Sequence, residues 1–129
     1  MIFIDASFFI AAANEDDQCH EKVSEILPTI IKEEKATSEL ILSESVTLLG
    51  SLYGGKAGLK LFNYIIDNHV IQYADKEMCL DAMETFLKYD GTLSFADSIS
   101  IEIMRNLEIN EIVSFDSDFD KVDGIIRIH

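Results

Sequence analysis

The sequence holds one proline and two cysteines in 129 residues, and only 10 basic side chains against 24 acidic ones. Two cysteines as far apart as Cys19 and Cys79 form no C-x-x-C and no zinc-type spacing, which excludes a disulfide framework and a cysteine-held zinc. They read as reduced thiols that help pack the fold. His20, His69 and His129 form no H-E-x-x-H pair, so a zinc enzyme is disfavoured as well. A net charge of −14 excludes a protein that grips nucleic acid mainly through lysine and arginine. No apolar run approaches the length of a membrane span. The opening Met1-Ile2-Phe3-Ile4-Asp5 has no basic stretch and meets an acid at once, so it reads as a first strand and not as a signal peptide. Cytoplasm is the expected compartment. Also missing are a glycine-rich phosphate loop and a Ser–His or Cys–His pair for covalent catalysis.

What is present is apolar and regular. Hydrophobic residues make up 48% of the chain, enough for one folded domain over residues 1–129 that buries roughly two-thirds of its unfolded surface. Strand and helix signals alternate. Ile2 to Asp5 reads as a buried strand, then Ala6 to Ala13 as a helix. Asn14 to Asp17 is a polar turn that caps a second helix, roughly Gln18 to Lys32, in which Pro28 predicts a kink or break. Ala36-Thr37 is a short strand, and Ser38 caps a helix through Tyr53 that Gly54-Gly55 ends. A helix over Lys56 to Asn68, a strand over His69 to Tyr73 and a helix from the Asp75 cap to Lys88 follow. Ser94 and Asp97 form an S-x-x-D capping box for a helix to Leu107. Strands over Glu111 to Phe115 and Ile125 to Ile128 flank an acidic turn, Asp116 to Asp120. This alternation predicts an α/β fold with a parallel-rich sheet covered on both faces.

Four acids stand in informative places. Asp5 and Asp116 each end a strand, where open α/β sheets bind ligands. Glu44 lies on or beside a helix stripe marked by Ile41 and Leu48, and a buried carboxylate is costly unless paired or bound to a metal. Asp97 opens its helix, with Ile101 and Met104 following on one side. Each has a plain alternative: Asp5 as a helix N-cap, Asp116 as a solvated turn, Glu44 as a residue at the stripe's edge, Asp97 as a simple cap. Together they say more. If the strands carrying Asp5 and Asp116 are neighbours, all four converge at one sheet edge. Oxygen ligands in such a cluster suit magnesium or manganese, and two such ions support phosphodiester hydrolysis.

The same residues resemble a family. Met1-Ile2-Phe3-Ile4-Asp5-Ala6-Ser7 is similar to the hydrophobic D-x-S opening of PIN domains. The run Ser38 to Leu49, with Glu44 inside it, resembles their second motif. Leu93-Ser94-Phe95-Ala96-Asp97-Ser98 resembles the third, L-S-F-T-D-A, and Ser114-Phe115-Asp116-Ser117-Asp118-Phe119 the fourth, T-x-D-x-D-F. The resemblance implies a three-layer α/β/α fold with a central parallel sheet and magnesium- or manganese-dependent cleavage of RNA. It implies Asp5, Glu44, Asp97 and Asp116 as catalytic and metal-holding acids, with Asp118 as an auxiliary ligand. Ser7 and Ser114 match hydroxyls that orient the carboxylates. Asp16 and His20 match a loop acid and histidine of unassigned role. Ala96 and Ser114 stand where threonines are usual.

The size is that of stand-alone VapC-type toxins, which implies a homodimer and a small antitoxin partner. Lys56, Lys60 and Arg105 are the basic residues first suspected of touching RNA, with plain solvated charges as the alternative. The main functional alternative is a PIN fold that binds RNA or serves as a scaffold without cleaving, which an intact acid set argues against. A haloacid-dehalogenase-type phosphatase also begins with a strand-end Asp, but Ser7 occupies the place of its required second Asp.

Overall fold

A computed structural model describes residues 1–129. The chain runs β1 (Ile2–Ile4), α1 (Ala6–Ala13), α2 (His20–Ile30), β2 (Lys35–Ser38), α3 (Glu39–Tyr53), α4 (Gly55–Asn68), β3 (Val70–Gln72), α5 (Lys76–Lys88), α6 (Phe95–Asn106), β4 (Glu111–Val113), a 3₁₀ turn (Ser117–Lys121) and β5 (Ile126–Ile128). All strand pairs are parallel, in the order β3-β2-β1-β4-β5. Strand β1 is central: Phe3 pairs with Ala36 on one side and Ile112 on the other. Its residues Ile2, Phe3 and Ile4 are all buried, as a strand covered on both faces requires.

The chain builds outward from β1 to β2 and β3, then crosses back to β4. The reversal falls between β1 and β4, and their carboxyl ends form the crevice where such sheets bind ligands. Right-handed crossovers put α1–α4 on one face and α5 and α6 on the other. The packing agrees, with α1 against α2 and α3, α3 against α4, and α5 against α6. The result is the three-layer α/β/α arrangement.

The caps explain most helix starts. Ser38 accepts from the Ile41 amide, Asp75 from Met78 and Ser94 from Asp97. Gly54, at φ +96°, ends α3 and lets α4 begin at once. A side chain at Gly58 would stand 3.2 Å from the Val46 carbonyl, so glycine is what lets α3 and α4 close on each other.

Several boundaries differ from the sequence reading. Helix α2 runs through Pro28 without a break and ends at Ile30. Pro28 sits in the last turn, where its missing amide removes only one bond near the helix end. His69 is not in a strand. It caps α4, with its ring edge-on to Phe9 at 5.0 Å and Nδ1 beside the Ile65 carbonyl. The buried face of α3 is Ile41, Leu42, Ser45 and Leu49, while Leu48 is exposed, so Glu44 stands beside the stripe and not on it. Helix α6 is buried all round from Ser98 to Met104, including Glu102, which accepts a hydrogen bond from Thr85 of α5. No helix is long and apolar enough to cross a membrane.

Candidate active site

Asp5 leaves β1 at the crevice. Its amide donates to the Val113 carbonyl at 3.0 Å, which ties it to the end of β4. Although it precedes α1, its side chain makes no cap bond. It instead accepts, at Oδ2, from the Ser7 hydroxyl at 2.8 Å and the Ser114 hydroxyl at 2.7 Å. Both serines are themselves held. Ser7 Oγ accepts from the Phe115 amide at 2.9 Å, and Ser114 Oγ from the Asp116 amide at 3.0 Å. The first turn of α1 and the segment after β4 are thereby locked around one carboxylate. The Asp5 carboxyl is buried, and burial pushes its pKa up. The serines and the Ala6 amide pull it down, and the charge on Asp116 adds to the rise.

Asp97 reaches the crevice from the N-terminus of α6. Its capping box with Ser94 is real, with bonds of 3.0 and 3.3 Å. A cap alone would hold the carboxyl below its ordinary pKa. Here it is pushed up to about 6, first by burial and then by the charge on Asp5, with Asp116 contributing. Glu44, from α3, is raised by partial burial and by Asp5. Asp116 caps the 3₁₀ turn, its Oδ1 accepting from the Asp118 amide at 2.9 Å. The four acids therefore face one another closely enough that their charges are felt. None of them is in an ion pair.

These carboxylates have lone pairs to spare, mutual repulsion and no local lysine or arginine paired to them. An all-oxygen donor set of that kind fits a hard divalent cation, which would relieve the repulsion. As placed, no three of the side chains converge tightly enough to hold one ion together.

The remaining expected residues fall elsewhere. Asp118 is exposed and turned to Lys121 at 3.6 Å. Lys56 and Lys60 are exposed on α4. Arg105 is half exposed at the edge of the α5–α6 seam, its guanidinium bonded to Glu102 and to Thr85, the latter at 3.0 Å. Eight residues of helix also carry it about 12 Å beyond Asp97. His20 serves structure, with Nδ1 against the Ala11 carbonyl at 2.6 Å, and Asp16 accepts from the Tyr53 hydroxyl at 3.3 Å. Beside these residues lies an apolar groove of about 660 Å³ between α1, α2, α3 and α4, floored by Phe8, Val23, Leu27 and Leu61 and lined by the charged Glu15, Asp16 and Lys60.

One residue at the site escaped the sequence reading. Arg127 of β5 grips Asp120 with Nε at 2.8 Å and Nη2 at 2.9 Å, and its Nη1 donates to the Ser114 carbonyl at 3.2 Å. No periodicity links these positions. They meet only because the chain turns between the 3₁₀ turn and β5.

The description of the PIN domain matches residues 2–125. The 23S rRNA-specific endonuclease VapC20 of Mycobacterium tuberculosis is 28% identical over 124 residues, which are 92% of each chain. The crystal structure of that protein, a sarcin-ricin loop cleaving toxin, superimposes with a TM-score of 0.84 at 25% identity over 93% of both chains. A toxin–antitoxin complex from Klebsiella pneumoniae shares the fold, with a TM-score of 0.74 at 12% identity, covering 98% of this chain and 96% of that one.

Proposed function

This chain belongs to the PIN domain family, and from that premise we propose that it is a divalent-metal-dependent endoribonuclease, the toxin of a toxin–antitoxin pair. The observation that carries the reading is the meeting of β1 and β4: it sets Asp5, held by Ser7 and Ser114, beside Asp116 at the switch point of the sheet.

Asp5, Glu44, Asp97 and Asp116 would hold the cation, with Asp118 as an outer acid free to swing from Lys121. Magnesium or manganese bound there supplies the positive charge that draws in the phosphodiester and activates water against it. The chain's own part is positional. Ser7 and Ser114 fix one oxygen of Asp5, so that carboxylate cannot rotate away. The first turn of α6 fixes Asp97. Glu44, on an exposed edge, is the acid best placed to meet water and substrate. The net charge of −14 means that the protein cannot hold RNA by its own field, so affinity depends on the cation.

RNA is the substrate class, and large-subunit ribosomal RNA, the target named for the mycobacterial relative, is the first to test. The compartment is the cytoplasm. The antitoxin is an amphipathic helix, its apolar face matched to the apolar groove, with a basic group toward Glu15 and Asp16 and an acidic one toward Lys60. The deciding experiment incubates the protein with RNA and manganese or magnesium and identifies the ends. Water attack at phosphorus with loss of the 3′ oxygen leaves a 5′-phosphate and a 3′-hydroxyl. A 2′,3′-cyclic phosphate, or full activity in excess EDTA, refutes the reading.

A further inference from the structure

Arg127 lies outside the carboxylate cluster yet is bonded into its frame, and the reaction above makes no use of it. Its side chain is only 9% exposed. Two of its nitrogens grip Asp120, and the third donates to the Ser114 carbonyl at 3.2 Å. Ser114 is the residue whose hydroxyl donates to Asp5 at 2.7 Å and accepts from the Asp116 amide at 3.0 Å. The guanidinium therefore braces, from behind, the one stretch of backbone that both fixes Asp5 and delivers Asp116. Resting on the reading of this site as a cation-holding ribonuclease centre, we propose that Arg127, held by Asp120, is a positioning residue that sets Asp5 and Asp116 for a divalent cation.

The side-chain type matters. A planar guanidinium can hold a carboxylate with two nitrogens and still donate from its third. A lysine ammonium has the same charge without that fork.

Charge and geometry also act in opposite directions here. The charge of Asp116 is felt at Arg127. As a bare charge the arginine repels a cation, and removing it would tighten cation binding. As a brace it orders the ligands, and removing it weakens binding. The sign of the effect separates the two.

The test is calorimetric titration of manganese into the wild type and into Arg127→Lys, Arg127→Met and Asp120→Asn, after thermal melts show which are folded. Both Arg127 variants should bind manganese about ten- to a hundredfold more weakly, the usual effect of removing a partner that orients ligands. Asp120→Asn should shift binding the same way by a smaller factor. The proposal is overturned if Arg127→Met binds as tightly as wild type or tighter, or if Arg127→Lys keeps the wild-type constant. Should the Arg127 variants not fold, Asp120→Asn decides, since Asp120 is exposed and its own charge is screened. A wild-type constant there overturns the proposal. Failure of the ribonuclease reading shows separately, as a wild type that binds manganese and leaves RNA uncut.

Discussion

At the scale of single residues, Asp97 has a capping role and a proposed cation-holding role, and the two can be separated. Its folded-state pKa, about 6, lies above the ordinary 3.8 of a free aspartate. The folded state therefore binds the proton more tightly than the unfolded one, and stability falls as pH rises through that window. The cost at neutral pH is on the order of 1–2 kcal/mol once partial solvent exposure is allowed for. Asp97→Asn keeps the shape and an oxygen for the Ser94 amide but removes the charge. Its metal-free melting temperature at pH 7 should equal or exceed that of wild type, with the difference vanishing near pH 4. Its RNA cleavage should fall by orders of magnitude. At a hundredfold excess over the dissociation constant, manganese should stabilise the wild type by about 2.7 kcal/mol and the variant much less. A variant that melts well below wild type without metal would make Asp97 chiefly a cap. The sequence made all four acids visible, because strand ends and helix starts are readable from local pattern. It did not show that Asp5 forgoes the cap bond, since that depends on Ser114, 109 positions away.

At the scale of elements, the caps at Ser38, Asp75 and Ser94 were legible, and helix starts agree to within a residue or two. Strand lengths were less so. The strand end expected at Phe115 stops at Val113: the Ser114 amide still donates to the Ile128 carbonyl, but the Phe115 amide turns to the Ser7 hydroxyl. Helix α6 is buried from Ser98 to Met104, and Arg105 stands half exposed just beyond, bonded to Glu102. Arg105→Ala should leave Glu102 with Thr85 as its remaining partner and lower stability by about 1–2 kcal/mol, allowing for the half-exposed arginine. The salt dependence of RNA binding should not change. Chemical denaturation and binding titrations at several salt concentrations measure both, and a flattened salt slope would return Arg105 to the RNA surface.

At the scale of the whole molecule, the alternation of strands and helices was enough to expect a parallel sheet, but not its order. The adjacency of β1 and β4 stood as a condition, and only the fold meets it. The protein should form a homodimer. Exposed Leu48 and Leu52 on α3, and Leu80, Met83 and Leu87 on α5, leave more apolar helix surface than an acidic monomer keeps in water. Light scattering at micromolar concentration should give twice the 14.5 kDa chain mass. A single-chain mass across a wide concentration range would count against it. The central place of β1 has one more consequence, in the timing of synthesis. Asp5 precedes by 109 positions the serine that locks it, and β4, which closes the open edge of β1, comes just before that serine. A nascent chain thus carries this acid through 109 further residues of translation with no site around it, and the proposed centre can close only once β4 and Ser114 have emerged.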